Sequence, residues 1–284
     1  TNAIHELEKE MGINIFNRSN KGISPSIEGE VFLGYARQVL EQAKVLEDKY
    51  KGDDGGKKSF CVSAQHYSFA VNAFVDLIKR YGQDEYDFSI RETQTYEIID
   101  DVARMRSEIG ILFMNDFNEK VLNKILRAND LEFHELFVAK PHVFISRKHP
   151  LAKNDIITNE ELEAYPYLSF EQGEHNSFYF SEEIFSTTER KKNIRVRDRA
   201  TLFNLLIGLN GYTVCSGVID EKLNGKDIIS VPLADESDMR IGYIVHRKAI
   251  LSRLGNTYLG ALANYLTAGE TNDIKQTVLT TKEA

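Results

Sequence analysis

Little in this sequence would tie the chain to a membrane, an oxidising compartment or a catalytic task. No apolar run approaches the ~20 residues that a membrane span needs. No basic stretch followed by an apolar one stands at the N-terminus, so neither a span nor a secretory leader is expected. Cysteine is scarce. Cys61 and Cys215 each lie in an apolar, strand-like run, which leaves no disulfide framework and fits a reducing cytoplasm. Positive charge is not in excess: 35 Lys and Arg stand against 43 Asp and Glu, for a formal net charge of −8. That balance argues against nonspecific nucleic-acid binding by the whole chain, while leaving room for a local basic tip.

Catalytic patterns are missing as well. The 7 histidines form no i, i+4 pair with a nearby carboxylate, so no zinc site is expected, and no cofactor. No G-x-S-x-G, P-loop or G-x-G-x-x-G occurs, and Ser216–Gly217 lacks the preceding glycine of a nucleophile turn. Glu97, Asp100 and Asp101 are spaced as a solvated helix face. The chain reads as a non-enzyme.

What is present begins at residues 7–30, LEKEMGINIFNRSNKGISPSIEGE. Leu7, Met11, Ile13, Ile15 and Phe16 offer apolar contacts, and Gly12 is a helix stop, since glycine takes the left-handed cap conformation without a Cβ clash. Residues 17–22, NRSNKG, carry polar and basic turn chemistry, and Ser26 stands as an N-cap for the helical run that follows. Helix, turn, basic loop and helix make the DNA-facing end of a winged helix-turn-helix. Residues 27–51 then form one long helix with Val31, Leu33, Ala36, Val39, Leu40, Ala43 and Leu46 on a single stripe. KGDDGGKK (51–58) cuts that helix off from the rest and reads as a hinge at 52–58. An apolar stripe with no neighbour in sequence favours pairing with a second copy.

With 284 residues, 42% hydrophobic and 27% charged, the chain holds two domains or more. From Ser59 strands alternate with helices: strand 59–64, helix 69–81, strand 86–90, helix 96–105 and the apolar strand 109–114. That order implies a parallel sheet with right-handed crossovers. Residues 133–152 carry two extended segments split by Pro141. A second set follows: strand 167–170, a helix near 181–187, strand 194–196, helix 201–209 and strand 213–216. Strands at 228–232 and 241–246, a closing helix at 251–266 and a polar tail at 269–284 complete the chain.

LEKEMGINIFNR and IEGE resemble the DNA-binding segment of LysR-type transcriptional regulators, whose pattern runs L-E-x-E-L-G-x-x-L-F-x-R and then E-x-G-E. RKHPLA (147–152), YPYLSFEQG (165–173) and TLFNLLIGLNGYTVCSG (201–217) resemble, in order, three further landmarks of that family. The likeness covers residues 1–266. It departs at Asn210, where the family has a small or apolar residue, and at Ser216–Gly217, which replace an apolar residue and proline. The resemblance implies a partial winged helix at 1–26, with earlier helices expected before Thr1, and a linker and dimerisation helix at 27–51. It further implies an α/β, periplasmic-binding-protein-like effector domain at 59–268. Subdomain I would take 59–141 and 247–268, and subdomain II 142–246. Thr1 and Asn2 would face base edges, and Arg18, Ser19, Asn20 and Lys21 the backbone. The implied partners are promoter DNA, a small-molecule effector, a homodimer or homotetramer and RNA polymerase, with no membrane contact.

Ligands of open α/β sheets sit beyond the carboxyl ends of the strands, at helix N-termini that favour anions. Four walls follow from that rule: Ser63 to Tyr67, including Gln65 and His66; Thr93 to Thr95; Ser169 to Gln172; and Arg199 to Thr201. By resemblance Gln65, Thr93 and Thr95 are the foremost of these. Ser and Thr at such junctions also serve as plain caps. Arg199 and the helix ends suggest a small anionic ligand, although Arg199 is placed to pair with Asp198, and Phe178, Tyr179 and Phe180 would add an aromatic wall. Some LysR-type proteins sense oxidants through a cysteine pair on a mobile segment of the second subdomain. Cys61 and Cys215 fall in strands of different subdomains, so that role is not expected. The rival reading is a cytoplasmic solute-binding module without DNA activity, which has no use for residues 7–30.

Overall fold

The computed structural model describes residues 2–19, 22–50, 58–81, 85–219, 221–268 and 274–276. Thr1, Asn20, Lys21, nearly all of the expected hinge and most of the expected tail lie outside the described residues.

Helix α1 (Asn2–Met11) ends at Gly12, whose φ of 68° is the left-handed stop expected of it. Glu8 then turns the chain: its Oε1 accepts from the backbone nitrogens of Ile15, at 2.8 Å, and Phe16, at 3.0 Å. Strands β1 (Phe16–Ser19) and β2 (Gly22–Pro25) pair antiparallel as the wing. Ser26 caps α2 (Ile27–Tyr50) by accepting from Gly29 N at 2.8 Å, and its hydroxyl donates to the Asn14 carbonyl. A Cβ on Gly29 would fall inside the Ile15 carbonyl, so only glycine lets α2 pass this close to the turn. Along α2 the side chains of Ile27, Val31, Tyr35, Val39, Leu40 and Leu46 are exposed, an apolar face left uncovered by the described residues.

Subdomain I is a six-stranded sheet of β3 (Lys58–Ala64), β4 (Tyr86–Glu92), β5 (Ile109–Met114), β6 (Leu131–Ala139), β12 (Met239–His246) and β13 (Ile274–Gln276). Its order is β13-β6-β12-β5-β3-β4. β3 runs parallel to β4 and β5, as the alternation implied, and β12 lies antiparallel between β5 and β6. Helices α3 (Ser68–Tyr81) and α9 (Arg253–Ala268) cover one face, where Phe60, Phe74 and Tyr258 meet. On the other face Ile98, Ile99 and Val102 of α4 (Thr95–Ala103) and Leu122 and Leu126 of α5 (Glu119–Ala128) pack with Leu112, Met114 and Ile244.

Subdomain II is smaller. β7 (His142–Ser146) pairs with β10 (Thr213–Cys215) and β11 (Ile228–Pro232), while β8 (Tyr167–Phe170) runs parallel to β9 (Asn193–Val196) and bridges to Tyr212. Its helices are α6 (Asn159–Leu162), α7 (Arg199–Leu209) and α8 (Glu221–Asn224). Leu202 and Leu206 of α7 fill a core with Phe144, Leu168 and Val196. The chain crosses between subdomains at Lys140–Pro141 and again between β11 and β12.

Four expectations change. β12 belongs to the first sheet, so subdomain II closes before Met239 rather than at 246. Helix α5, which the alternation omitted, fills the connection from β5 to β6. Residues 181–187 are bends and turns following a 3-10 turn at Phe178–Phe180, not a helix. Part of the segment read as a polar tail, Ile274–Gln276, pairs with β6.

Candidate functional site

The carboxyl ends of β3 and β4 and the start of α4 form one wall of a crevice between the subdomains. Gln65 is fully buried. Its Oε1 accepts from Phe113 N at 2.8 Å, and its Nε2 donates to Thr95 Oγ1 at 2.6 Å. Thr95 reaches across to subdomain II: its hydroxyl donates to the Phe180 carbonyl at 2.6 Å, and its N–H, an orphan donor of the first helical turn, donates to Gln172 Oε1 at 3.0 Å. Gln172 Nε2 lies 3.3 Å from Glu182 Oε1. Glu182 then accepts from the backbone nitrogen of His66 at 2.9 Å and lies 2.9 Å from its Nδ1. The network therefore runs from β5 through both subdomains and back to the end of β3.

His66 stacks flat on Phe170, with 3.8 Å between ring centroids, and its Nε2 is 3.1 Å from the Arg197 carbonyl. Burial opposes its protonation, yet the Glu182 carboxylate, with help from Glu92, carries its pKa above the ordinary histidine value. Glu183 is buried beside Glu182 and accepts from Phe170 N at 2.7 Å. Burial, reinforced by the charge of Glu182, pushes the Glu183 carboxyl up to about 8. Arg199 reaches Glu92 at 3.1 Å across the crevice rather than its neighbour Asp198. Burial raises the Glu92 carboxyl, while the Arg199 charge opposes that rise.

Two spaces flank this network. One, of about 40 Å³, is bounded by His66, Tyr67, Phe144, Phe170, Arg199 and Leu202. The other, of about 270 Å³, is bounded by Phe113, Asn115, Phe117, Phe178 and Ile184, and Glu183 stands in the wall of both. Tyr67 is 8% exposed, and among the described residues neither its hydroxyl nor Arg199 Nη1 has a hydrogen-bond partner.

The expected site residues divide. Gln65, His66, Tyr67, Thr95 and Arg199 converge on the crevice. Ser63 turns away into the α4 side of the sheet, donating to Asp101 at 2.6 Å and lying 2.8 Å from Ser107 Oγ. The Thr93 hydroxyl donates to Glu97 in the first turn of α4. Thr201 does capping work, its N–H and hydroxyl donating to Asp198 at 2.8 and 2.7 Å. Ser169 is buried in β8 outside both spaces. Arg18 and Ser19 are exposed on the wing, and Asn2 is exposed on α1. The Phe178 to Phe180 cluster divides: Phe178 lines the larger space, Tyr179 stacks on Phe117 at 4.8 Å, and Phe180 is buried in the core beside α4. The sequence reading passed over Glu182 and Glu183. Their signal was two adjacent acids flanked by Phe180 and Ile184, an unusual setting for a solvated pair.

Both departures from the landmark pattern have local causes. Asn210 is the left-handed C-cap of α7, with φ of 49°, and its carbonyl faces His149 Nε2 at 3.1 Å. Gly217 has φ of 80°, and a Cβ there would enter the His142 ring. Burial raises both cysteine thiols, which keeps them protonated. Among the described residues no group of three or more His, Cys, Asp or Glu is placed to hold a metal ion, and no helix is long and apolar enough to cross a membrane.

A model of the LysR substrate binding domain matches residues 60–267. Over 172 residues the chain is 26% identical to the uncharacterized HTH-type transcriptional regulator YnfL of Escherichia coli K12, covering 59% of this chain and 54% of that protein. Over 279 residues it is 22% identical to YbhD of the same strain, another uncharacterized HTH-type transcriptional regulator, covering 96% and 84%. A full-length OxyR variant from Pseudomonas aeruginosa shares the fold with a TM-score of 0.64 at 17% identity, over 97% of this chain and 87% of that one. The effector binding domain of QuiR, solved in complex with shikimate, gives 0.51 at 17% identity, over 75% and 99%. The chain thus spans about half the length of YnfL and most of the length of YbhD and OxyR.

Proposed function

This chain belongs to the LysR-type family of transcriptional regulators, and we propose that it binds promoter DNA through its winged segment and a small anionic metabolite between its subdomains. The observation that carries the reading is the convergence of Gln65, His66 and Thr95 from one subdomain with Gln172, Glu182 and Arg199 from the other. A ligand that rearranges those bonds changes how the subdomains sit, and only such differential contact lets it bias one state. QuiR, whose effector binding domain was solved with shikimate, supports a small organic ligand for this fold.

Helix α4 offers the route outward. Thr95 holds its first turn to subdomain II. At its far end Arg104 ion-pairs with Glu30, at 2.6 Å, in the first turns of α2 beside the wing. The exposed stripe of α2 would pair with a second copy, giving a homodimer or homotetramer. In this reading the protein acts in the cytoplasm and changes transcription through DNA affinity or contact with RNA polymerase. A solute-binding module would keep the crevice, but it gives no reason for a helix, wing and Ser26 cap locked together by Glu8 and Gly29.

The test is fluorescence anisotropy on DNA from upstream of the protein's own gene, with the whole chain. Salt-dependent binding that weakens with Arg18→Ala, by a similar factor on all sequences, supports the regulator. A folded dimer that ignores DNA at low salt leaves the solute-binding module standing.

A further inference from the structure

The crevice is filled by its own chain. Residues 173–188 run across it without regular helix or strand beyond two 3-10 turns, at Gly173–His175 and Phe178–Phe180. This strap is held by ring contacts, with His175 on Tyr96 at 3.5 Å and Tyr179 on Phe117 at 4.8 Å. At its end Glu182 delivers a carboxylate from subdomain II to the backbone N–H and the imidazole of His66 in subdomain I. Gln172 supplies a third donor. We propose, building on the effector-site reading above, that Glu182 is an internal stand-in for the effector's carboxylate, so that a compact monocarboxylate with an apolar body binds by displacing it.

The chemistry of the surroundings sets that ligand class. The three donors around Glu182 match a single carboxylate, the group best suited to charge-assisted bonds with an imidazolium and a backbone N–H. Phe144, Phe170, Leu202 and Phe203 line the space beside it, which suits an apolar body. Tyr67 Oη and Arg199 Nη1 stand buried there without partners, and a buried polar group left unpaired is costly until something bonds to it. One acceptor on the ligand body would meet that need.

For a ligand that is to reach His66, the geometry also favours displacement. A space of about 40 Å³ is far below the several hundred Å³ of an ordinary small-molecule pocket. Because Glu183 walls both spaces, lifting the strap at Glu182 and Glu183 joins the small one to its neighbour of about 270 Å³. A ligand carboxylate entering while Glu182 stayed would place two anions on one imidazole, an arrangement that like-charge repulsion disfavours.

Chemical rescue tests this directly. Glu182→Ala removes the equivalent of acetate, so acetate and butyrate are titrated into the whole chain, with acetamide as the neutral control, while the His66 amide is followed by NMR. Glu182→Ala is expected to bind acetate at least tenfold tighter than the unaltered chain, butyrate tighter still, and acetamide no better than before. Equal affinities for the two proteins would overturn the proposal. Should Glu182→Ala not fold, the isosteric Glu182→Gln decides: butyrate affinity at least threefold above the unaltered chain supports displacement, and unchanged affinity sinks it. If rescue fails while a metabolite still alters DNA binding, the displacement account falls and the regulator reading stands. Rescue in a protein that never binds DNA has the opposite meaning.

Discussion

Thr95 and Arg104 sit at opposite ends of α4, and each makes its decisive bonds outside that helix. Thr95 donates to Phe180 and Gln172 of subdomain II, whereas Arg104 grips Glu30 of α2 at 2.6 Å. A nine-residue helix spans about 14 Å at 1.5 Å per residue, so one rigid element joins the crevice to the helix that carries the wing. Arg104→Ala should therefore leave ligand affinity intact and shrink the ligand-induced change in DNA affinity. The ion pair is partly exposed, and such pairs contribute about 1 kcal/mol at most. The expected loss of coupling is accordingly no more than about fivefold, which paired anisotropy titrations with and without ligand would read. A coupling unchanged by Arg104→Ala rules out this path.

Acidity should stabilise the crevice. Glu183 stays protonated in the folded protein up to about 8, whereas an unfolded glutamate ionises near 4.3. Between those values the unfolded chain binds fewer protons, so stability falls as pH rises, by up to about 1.4 kcal/mol per unit. His66 acts in the same direction. Its raised folded value gives stability that is complete below the unfolded histidine pKa and is lost as pH climbs through the folded one. The carboxyls held low, such as Asp130 and Asp198, matter only at more acid pH. Thermal midpoints from pH 5 to 8 should decline in the unaltered chain and decline less in Glu183→Gln. Parallel profiles for the two proteins would show that Glu183 is not the titrating group.

The wing depends on two residues that lie outside its strands. Glu8→Ala frees the N–H groups of Ile15 and Phe16, and Gly29→Ala drives a methyl into the Ile15 carbonyl. The Gly29 change should cost about 1–3 kcal/mol locally, and Glu8→Ala leaves the N–H of the buried Ile15 without its acceptor. Hydrogen exchange at Ile15, Phe16 and Ser26 should accelerate, while amides of β3 and β5 keep their protection. Loss of protection throughout the chain would mean that the wing does not move as a separate unit.

Assembly should follow the α2 stripe. Tyr35 and Val39 lie one helical turn apart and are 62% and 68% exposed. Charging both, as Tyr35→Glu with Val39→Glu, should give a monomer in sedimentation experiments, with the effector domain still folded. An oligomer that survives the double change would place the interface elsewhere.

Local pattern carried much of this fold. The alternation of β3, α3, β4, α4 and β5 is visible because each strand is a short apolar run and each helix has a single apolar stripe. Gly12 and Ser26 were equally legible, since stops and caps demand particular residues. What stayed hidden was set by distant contacts. β12 sits in subdomain I because its partners are β5 and β6, more than a hundred residues earlier for much of the pairing, and nothing local encodes that choice. Helix α5 is amphipathic but rich in charge, so its buried Leu122 and Leu126 did not stand out. Ser63 was assigned to the crevice by its position after a strand, yet strand alternation turns it toward Asp101. Glu182 and Glu183 are buried only because the strap, which has no periodic pattern of its own, carries them inside.

The most direct test of the account is footprinting of promoter DNA by the protein, with small carboxylate metabolites added one at a time. A protected pair of half-sites whose spacing or length changes with one metabolite, and changes less in Arg104→Ala, is the expected result. Protection that is identical under every metabolite, in a protein that nonetheless binds one of them at His66, would contradict it.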